Sequence, residues 1–395
     1  MYDKKMLNGI SCDFIESNMD MCYVSLVIRN GSLKDGKKFG VAHFLEHMLM
    51  QIDYESKGVG PDFFCVGTTS FDYTKYVISA DNKIQNILIA IRIIFEIFNG
   101  IQLISDNLEK VRKDIINEYR MMSKSPFFKL YSIFIKELGI SDYLPIGNLQ
   151  DIESITYKDL IENFKREYNT SNAHIIILGG KKDWANKIWN VAIEKNFETD
   201  HLPNNLEVKN SPDRRPSNLE DEFTVIFLKS HVECEDIVYS ELIESMALTF
   251  LEELYKEEGN IPENAITLDI FQPIKSIRYI RIIVSKELNF TFIIDVYKKV
   301  LKRIKCNNNI HQLLVNLINE YIKMLKKNEY GYQYIYHLVD AYIFDKKPYT
   351  NGELMKYIKS SERNLLGDIV NFAASSLKKP VYYIYYLKGG EISAI

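Results

Sequence analysis

Two histidines and a glutamate within five residues are the part of this chain best suited to chemistry. Residues 41–48 read VAHFLEHM and contain His-x-x-Glu-His. Positions four apart lie on one face of a helix, so His43 and His47 can grip a single metal ion. Glu46 follows His43 by three residues and adjoins His47, so it can face a metal-bound water instead of the metal. Two neutral imidazoles and a free carboxylate beside zinc are the parts needed to activate water against a peptide bond. The competing reading is a pair of surface histidines on an amphipathic helix. The neighbours Val41, Phe44, Leu45, Met48 and Leu49 argue against it, because they bury the helix over 40–50. A buried imidazole pair needs a partner, and a metal is a good one.

A third ligand belongs on another rigid element. Residues 106–122 (DNLEKVRKDIINEYRMM) read as a helix, with Ser105 or Asp106 as cap and Pro126 just past its end. Its apolar side is Leu108, Val111, Ile115 and Met122; Glu118 lies beyond the Ile115-Ile116 pair, with Asp114 one turn earlier. On residue type alone, a helical glutamate reads equally well as part of a solvated face.

The elements that must position these groups follow from periodicity. In the first half, strands are expected over 9–16, 21–29, 63–67, 71–79 and 174–178, and helices over 40–50, 83–99, 106–122, 127–137, 157–168 and 182–195. The stretch 199–222 is polar, holds three prolines and reads as a linker. The same order of elements then restarts: strand 223–228, helix 237–258, strands 265–272 and 278–284, helices over 290–305, 310–325, 332–344, 350–358 and 362–375, and a strand at 381–387. The second half has no His-x-x-Glu-His; His201, His231, His311 and His337 stand alone.

Composition bounds the function. At 395 residues the chain is too long for one ordinary core. A net charge of −4, with Lys and Arg scattered and no basic stripe, argues against a nucleic-acid partner. Five scattered cysteines (Cys12, Cys22, Cys65, Cys234, Cys306) without CxxC spacing read as reduced thiols of a cytoplasmic protein. The first residues, MYDKKMLNGISCDF, do not read as a secretory signal. The most apolar stretch, 84–104, is interrupted by Gln85, Asn86, Arg92, Glu96 and Asn99, so it reads as a buried helix and not a membrane span. The Lys, Asn, Ile and Tyr bias suggests a bacterial source.

The chain resembles the pitrilysin, insulin-degrading enzyme and mitochondrial processing peptidase family, whose inverted His-x-x-Glu-His it shares. The resemblance runs past that motif, through Asn30-Gly31-Ser32, Phe39-Gly40-Val41-Ala42-His43 and Thr69-Ser70-Phe71-Asp72-Tyr73-Thr74-Lys75-Tyr76. It continues through Asn117-Glu118, Leu144-Pro145-Ile146-Gly147, Tyr168-Asn169 and the apolar run from Ile175 to Gly180. It is strong over the first half and only a matter of pattern in the second. It implies an α+β fold of two tandem homologous domains, each a mainly antiparallel sheet with helices on one face. The boundaries would be 1–198 for a catalytic domain, 199–222 for the linker and 223–395 for a metal-free second domain.

The resemblance also implies roles. Glu118 falls where the family keeps its third zinc ligand, so His43, His47 and Glu118 would hold one Zn²⁺ per chain, with Asp114 supporting them and Glu46 as general base. An extended peptide substrate would add as a strand along Cys65, Val66, Gly67, Thr68 and Thr69. Two departures stand out. The family commonly has a second glutamate seven residues before the ligand glutamate; here that position is Val111, with Glu109 or Asp114 as the nearby carboxylates. Active members carry Arg-x-x-x-Gly-Leu-x-Tyr in the second half; here Tyr255 and Pro262 take the Arg and Tyr positions, and Lys256 is a poor substitute. The expectation is therefore a zinc endopeptidase acting as the metal-bearing subunit of a heterodimer, with a related subunit supplying the Arg/Tyr pair. The alternative is a non-catalytic assembly subunit of the same family.

Overall fold

The computed structural model describes residues 2–53, 63–191, 223–229, 237–260, 266–274, 277–285, 290–306, 310–327, 333–344, 349–360, 362–378, 383–388 and 391–394. The expected linker and Cys234 lie outside them. The first half runs β1 (Tyr2–Leu7), β2 (Ile10–Ile15), β3 (Met21–Ile28), α1 (Val41–Leu49), β4 (Phe64–Thr69), β5 (Thr74–Asp81) and α2 (Ile84–Asn99). It continues with α3 (Leu108–Lys124), α4 (Pro126–Glu137), α5 (Leu149–Ser154), α6 (Tyr157–Glu167), β6 (Ala173–Leu178) and α7 (Ala185–Val191). The second half runs β7 (Phe223–Lys229), α8 (Ile237–Gly259), β8 (Ile266–Ile274), β9 (Ile277–Ser285), α9 (Phe290–Cys306) and α10 (Ile310–Lys327). It closes with α11 (Gln333–Ile343), α12 (Asn351–Ser360), α13 (Glu362–Lys378), β10 (Tyr383–Lys388) and β11 (Glu391–Ala394).

The strands form two sheets, ordered β1-β2-β6-β3-β5-β4 and β11-β10-β7-β9-β8. Every neighbouring pair is antiparallel except β2 with β6. The core order β6-β3-β5-β4 repeats as β10-β7-β9-β8, and the helices between these strands correspond one to one. The fold is therefore α+β with two tandem homologous units. Strands β1 and β11 extend each sheet at one edge and were not expected from periodicity. β1 (YDKKML) is too polar to alternate, but Asn8 and Gly9, with φ of 48° and 82°, make the tight turn that pairs it with β2.

Alternation along the strands sorts two cores. Phe14, Val24, Leu26, Ile78, Ile175 and Ile177 point to the face covered by α1, α2, α3 and α6. The opposite face of the same sheet, with Ile15, Val27, Val77, Ile176 and Leu178, packs on Tyr334, Ile335, Leu338, Val339 and Ile343. These belong to α11, a helix of the second half. The converse holds for α4, the counterpart of α11. The Phe134 ring meets Phe271 of β8 and Tyr279 of β9 edge-on, with centroids 5.5 and 5.3 Å away. Each half thus covers one face of its sheet with its own helices and lends one helix to its neighbour's other face.

This exchange predicts mutual stability. Phe134 is fully buried, so Phe134→Ala is expected to cost roughly 3–5 kcal/mol. In urea unfolding, the fluorescence of Trp184 and Trp189, both in the first half, is expected to shift together with the far-UV signal of the whole chain. A shift confined to one probe would mean that the halves unfold independently.

Candidate metal centre

Helix α1 lies in the first core, with all its residues except His47 buried. Its start is fixed by the loop before it. Gly40 adopts φ +94°, and a side chain there would press on the Ile146 carbonyl 3.0 Å away. The first helical N–H groups are satisfied from upstream: Asp35 accepts from Gly40 N at 2.6 Å and from Ala42 N at 2.7 Å. Burial pushes the Asp35 carboxyl up to about 7 against the pull of those N–H groups. Asp35 was not singled out from the sequence, because it lies five residues before the helix and not at the usual cap.

His43 and His47 project from one face, as their spacing requires, and their Nε2 atoms stand 3.2 Å apart. Glu118 of α3 completes the cluster, its Oε2 lying 3.2 Å from His47 Nε2 and 3.6 Å from His43 Nε2. Ligands at 2.0–2.2 Å from a tetrahedral ion stand roughly 3.3–3.6 Å apart. The three donor atoms therefore already outline one face of a zinc-sized tetrahedron. The charge states of His43 and Glu118 suit a cation. Burial, helped by His47, holds His43 neutral with a pKa of about 4. Burial also opposes charge on Glu118, but the His47 hydrogen bond and the charges of both imidazoles together outweigh it and hold the carboxyl below its ordinary value. His47 is disfavoured as a cation by burial, but its bond to Glu118 and the charges of Glu46, Glu118 and Asp114 together raise it, so a metal would have to displace a proton there.

Glu46 is not part of the cluster. It is buried, and its Oε2 accepts from Thr69 Oγ1 at 2.8 Å. Burial raises its carboxyl to about 7. Asp114 is exposed and bears on His47 through its charge alone. Among the described residues, β4 is an edge strand of the first sheet, beside α1. Cys65, Gly67 and Thr69 face the helix, while Phe64 and Val66, about half exposed, face outward with Thr68. Val111 is buried in the core. In the second half, Tyr255 is buried in the core, Lys256 is engaged by Glu252 and Glu253 at 2.9 Å each, and Pro262 lies outside the described residues.

The family described as insulinase, peptidase family M16, matches residues 14–141. The chain carries an insulinase-family domain. It is 26% identical over 194 residues to the probable zinc protease PqqL of Haemophilus influenzae, covering 44% of this chain and 21% of that protein. It is 25% identical over 197 residues to zinc protease PqqE of Helicobacter pylori, covering 47% and 43%. The match thus spans less than half the length of these curated relatives.

Solved structures share the fold over nearly the whole chain. The periplasmic protease PqqL of Escherichia coli superposes with a TM-score of 0.72 at 17% identity, over 97% of this chain and 47% of that one. A protease from Helicobacter pylori gives 0.71 at 17%, covering 98% and 99%. An inactive M16 domain from Pseudomonas fluorescens gives 0.69 at 15%, covering 97% of each. These relatives correct the cytoplasmic placement read from the cysteines, since the Escherichia coli protein is periplasmic and the Haemophilus relative has the same name. Cys12 and Cys22 are free and buried. Cysteines packed as small apolar side chains carry no compartment signal. Among the described residues no helix is long and apolar enough to cross a membrane.

The Asp35 cap is directly testable. Asp35→Ala is expected to lower stability by about 1–2 kcal/mol and to weaken zinc binding, measured by chelator competition. Unchanged zinc affinity would mean that α1 holds its place without the cap.

Proposed function

We propose that this M16 chain is a zinc-dependent endopeptidase subunit that cleaves peptides or unfolded leader segments. The observation that carries the reading is the convergence of His43, His47 and Glu118 at 3.2–3.6 Å beside a buried glutamate and an edge strand. One Zn²⁺ held by these three residues would supply a Lewis acid toward the peptide carbonyl and acidify a water molecule. Glu46 is the general base. Its carboxylate takes the proton of the attacking water and returns it to the departing amine, and a pKa near 7 suits a group that must do both. The substrate lies extended against β4. The backbone of Cys65, Val66, Gly67, Thr68 and Thr69 pairs with it, so sequence preference is loose. In this reading 1–198 is the catalytic domain, 199–222 the linker and 223–395 its metal-free partner domain.

The second half supports a shared site. Tyr255, at the position of the family's substrate-binding arginine, is packed in the core, and Lys256 is paired with two glutamates. Neither is free to anchor a peptide. A related subunit that supplies an Arg/Tyr pair completes the site in a heterodimer. A homodimer would instead enclose two zinc sites and no such pair.

Two outcomes are expected. Glu46→Gln retains zinc, measured by metal analysis, and loses on the order of 10²–10⁴ in peptide cleavage rate. A near-parental rate in a clean preparation removes Glu46 from the role of base. The chain alone is slow, and addition of a related subunit bearing the Arg/Tyr pair raises the rate by on the order of 10²-fold, since each preorganised donor contributes roughly 2.7–4 kcal/mol. Full activity of the chain by itself, unaffected by that subunit, would place the second half of the site within this chain.

A further inference from the structure

Strand β4 has two sides, and the side turned away from solvent bears on the general base. Cys65, Gly67 and Thr69 alternate onto the face toward α1. Cys65 Sγ lies 3.7 Å from Met50 Sδ at the end of the helix, so the seam is closed there by packing. At Gly67 a Cβ would collide with the Glu46 carboxylate, with Oε1 as its nearest atom. At Thr69 the hydroxyl donates to Glu46 Oε2 at 2.8 Å. Among the described residues, this is the hydrogen bond Glu46 receives. The hydroxyl is itself held in place. It lies 3.3 Å from Thr74 Oγ1, and Thr74 commits its own proton to the Asn30 carbonyl at 2.6 Å. Thr74 can then only accept, and the one proton on Thr69 goes to the nearer carboxylate oxygen of Glu46 at 2.8 Å and not to Thr74 Oγ1 at 3.3 Å. One carboxylate oxygen fits over a bare Cα and the other is tied by a hydroxyl, so the carboxylate has little freedom to turn.

We propose that Gly67 and Thr69 are positioning residues for the Glu46 carboxylate, and that the strand offered to the peptide also aims the base. The proposal rests on Glu46 being that base. It separates two functions of β4: the outer edge binds backbone, and the inner face sets where the proton goes. Changes on the inner face then alter turnover without altering peptide binding.

The kinetic test compares Thr69→Val, which keeps the shape and removes the hydroxyl, with Thr69→Ser, which keeps the hydroxyl. It uses the full chain in a preparation where the parent cleaves and Glu46→Gln does not. Loss of a charge-assisted hydrogen bond is expected to lower kcat about 10- to 100-fold for Thr69→Val, with KM within about threefold and zinc content intact. Thr69→Ser is expected to recover most of that loss, and Gly67→Ala to lower kcat as well. A Thr69→Val enzyme with parental kcat, or one whose loss lies in KM, overturns the proposal. A parent that fails to cleave at all counts against the proposed function instead.

A thermal cycle decides the contact without reference to activity. Thr69→Val is expected to lower Tm by about 2–4 °C when Glu46 is present and not at all in a Glu46→Ala background. Equal drops in both backgrounds overturn the proposal.

Discussion

The structure depends on the burial of one short helix. Helix α1 has nine residues, eight of them buried, and a helix of that length does not hold itself together in water. Its position is dictated by its surroundings. Asp35 and the Gly40 turn fix its start, and the inner face of β4 runs along its side. Arg112 of α3 lies over the Phe44 ring, 5.3 Å from its centroid. The same burial sets the chemistry. Taking imidazole and carboxylate out of water disfavours their charged forms, which leaves His43 neutral and ready to ligate and lifts Glu46 toward the range of a working base. The four ionisable groups here are tolerable because each has a defined partner: His43 and His47 face Glu118, and Thr69 donates to Glu46.

The second half has the same seam, with no His/Cys/Asp/Glu cluster of that kind among the described residues. Helix α8 corresponds to α1 and edge strand β8 to β4. There Glu252 reaches from the helix to the strand and accepts from Leu268 N at 3.3 Å, while Lys256 neutralises it at 2.9 Å. The contact between helix and edge strand survives, but its charge is balanced internally and an edge N–H is occupied. In the first half Glu46 instead accepts from a hydroxyl, beside the His43, His47 and Glu118 cluster. The exchange of α4 and α11 then binds an electrostatically closed half to an open one.

Much of this was legible in the sequence, for identifiable reasons. His43, Glu46 and His47 are fixed by helical periodicity, and the repeat of element order survived divergence because alternation and turn residues are local signals. Glu118 is different. Any helical glutamate could be solvated, and only resemblance to a family singled it out. Periodicity missed α5, although Asn148 caps it by accepting from Asp151 N at 2.9 Å. The exchange of α4 and α11 could not be read at all. An apolar helix face announces that it is buried but not against which sheet. Asp35 was hidden for the same reason, and Thr69 was singled out only for its backbone, since the roles of both side chains exist only once separate segments meet.

The departure at Val111 has a structural counterpart. The family resemblance would place a glutamate there. Here position 111 is fully buried among apolar side chains, where a carboxylate would need its own partner. The adjacent Arg112 does the anchoring instead. Its guanidinium donates to the carbonyls of Ile152 and Ile155, the latter at 2.7 Å, and to Glu109. Helix α3 is thereby tied to the segment that joins α5 to α6, and through the Phe44 ring to α1 itself. A guanidinium that stacks on one helix and binds carbonyls beside another fixes the distance between them. That distance places the Glu118 carboxylate opposite two imidazoles carried on a different helix. Arg112 thus ties α3 to α1 on one side and to the end of α5 on the other, and Glu118 is carried on that same helix.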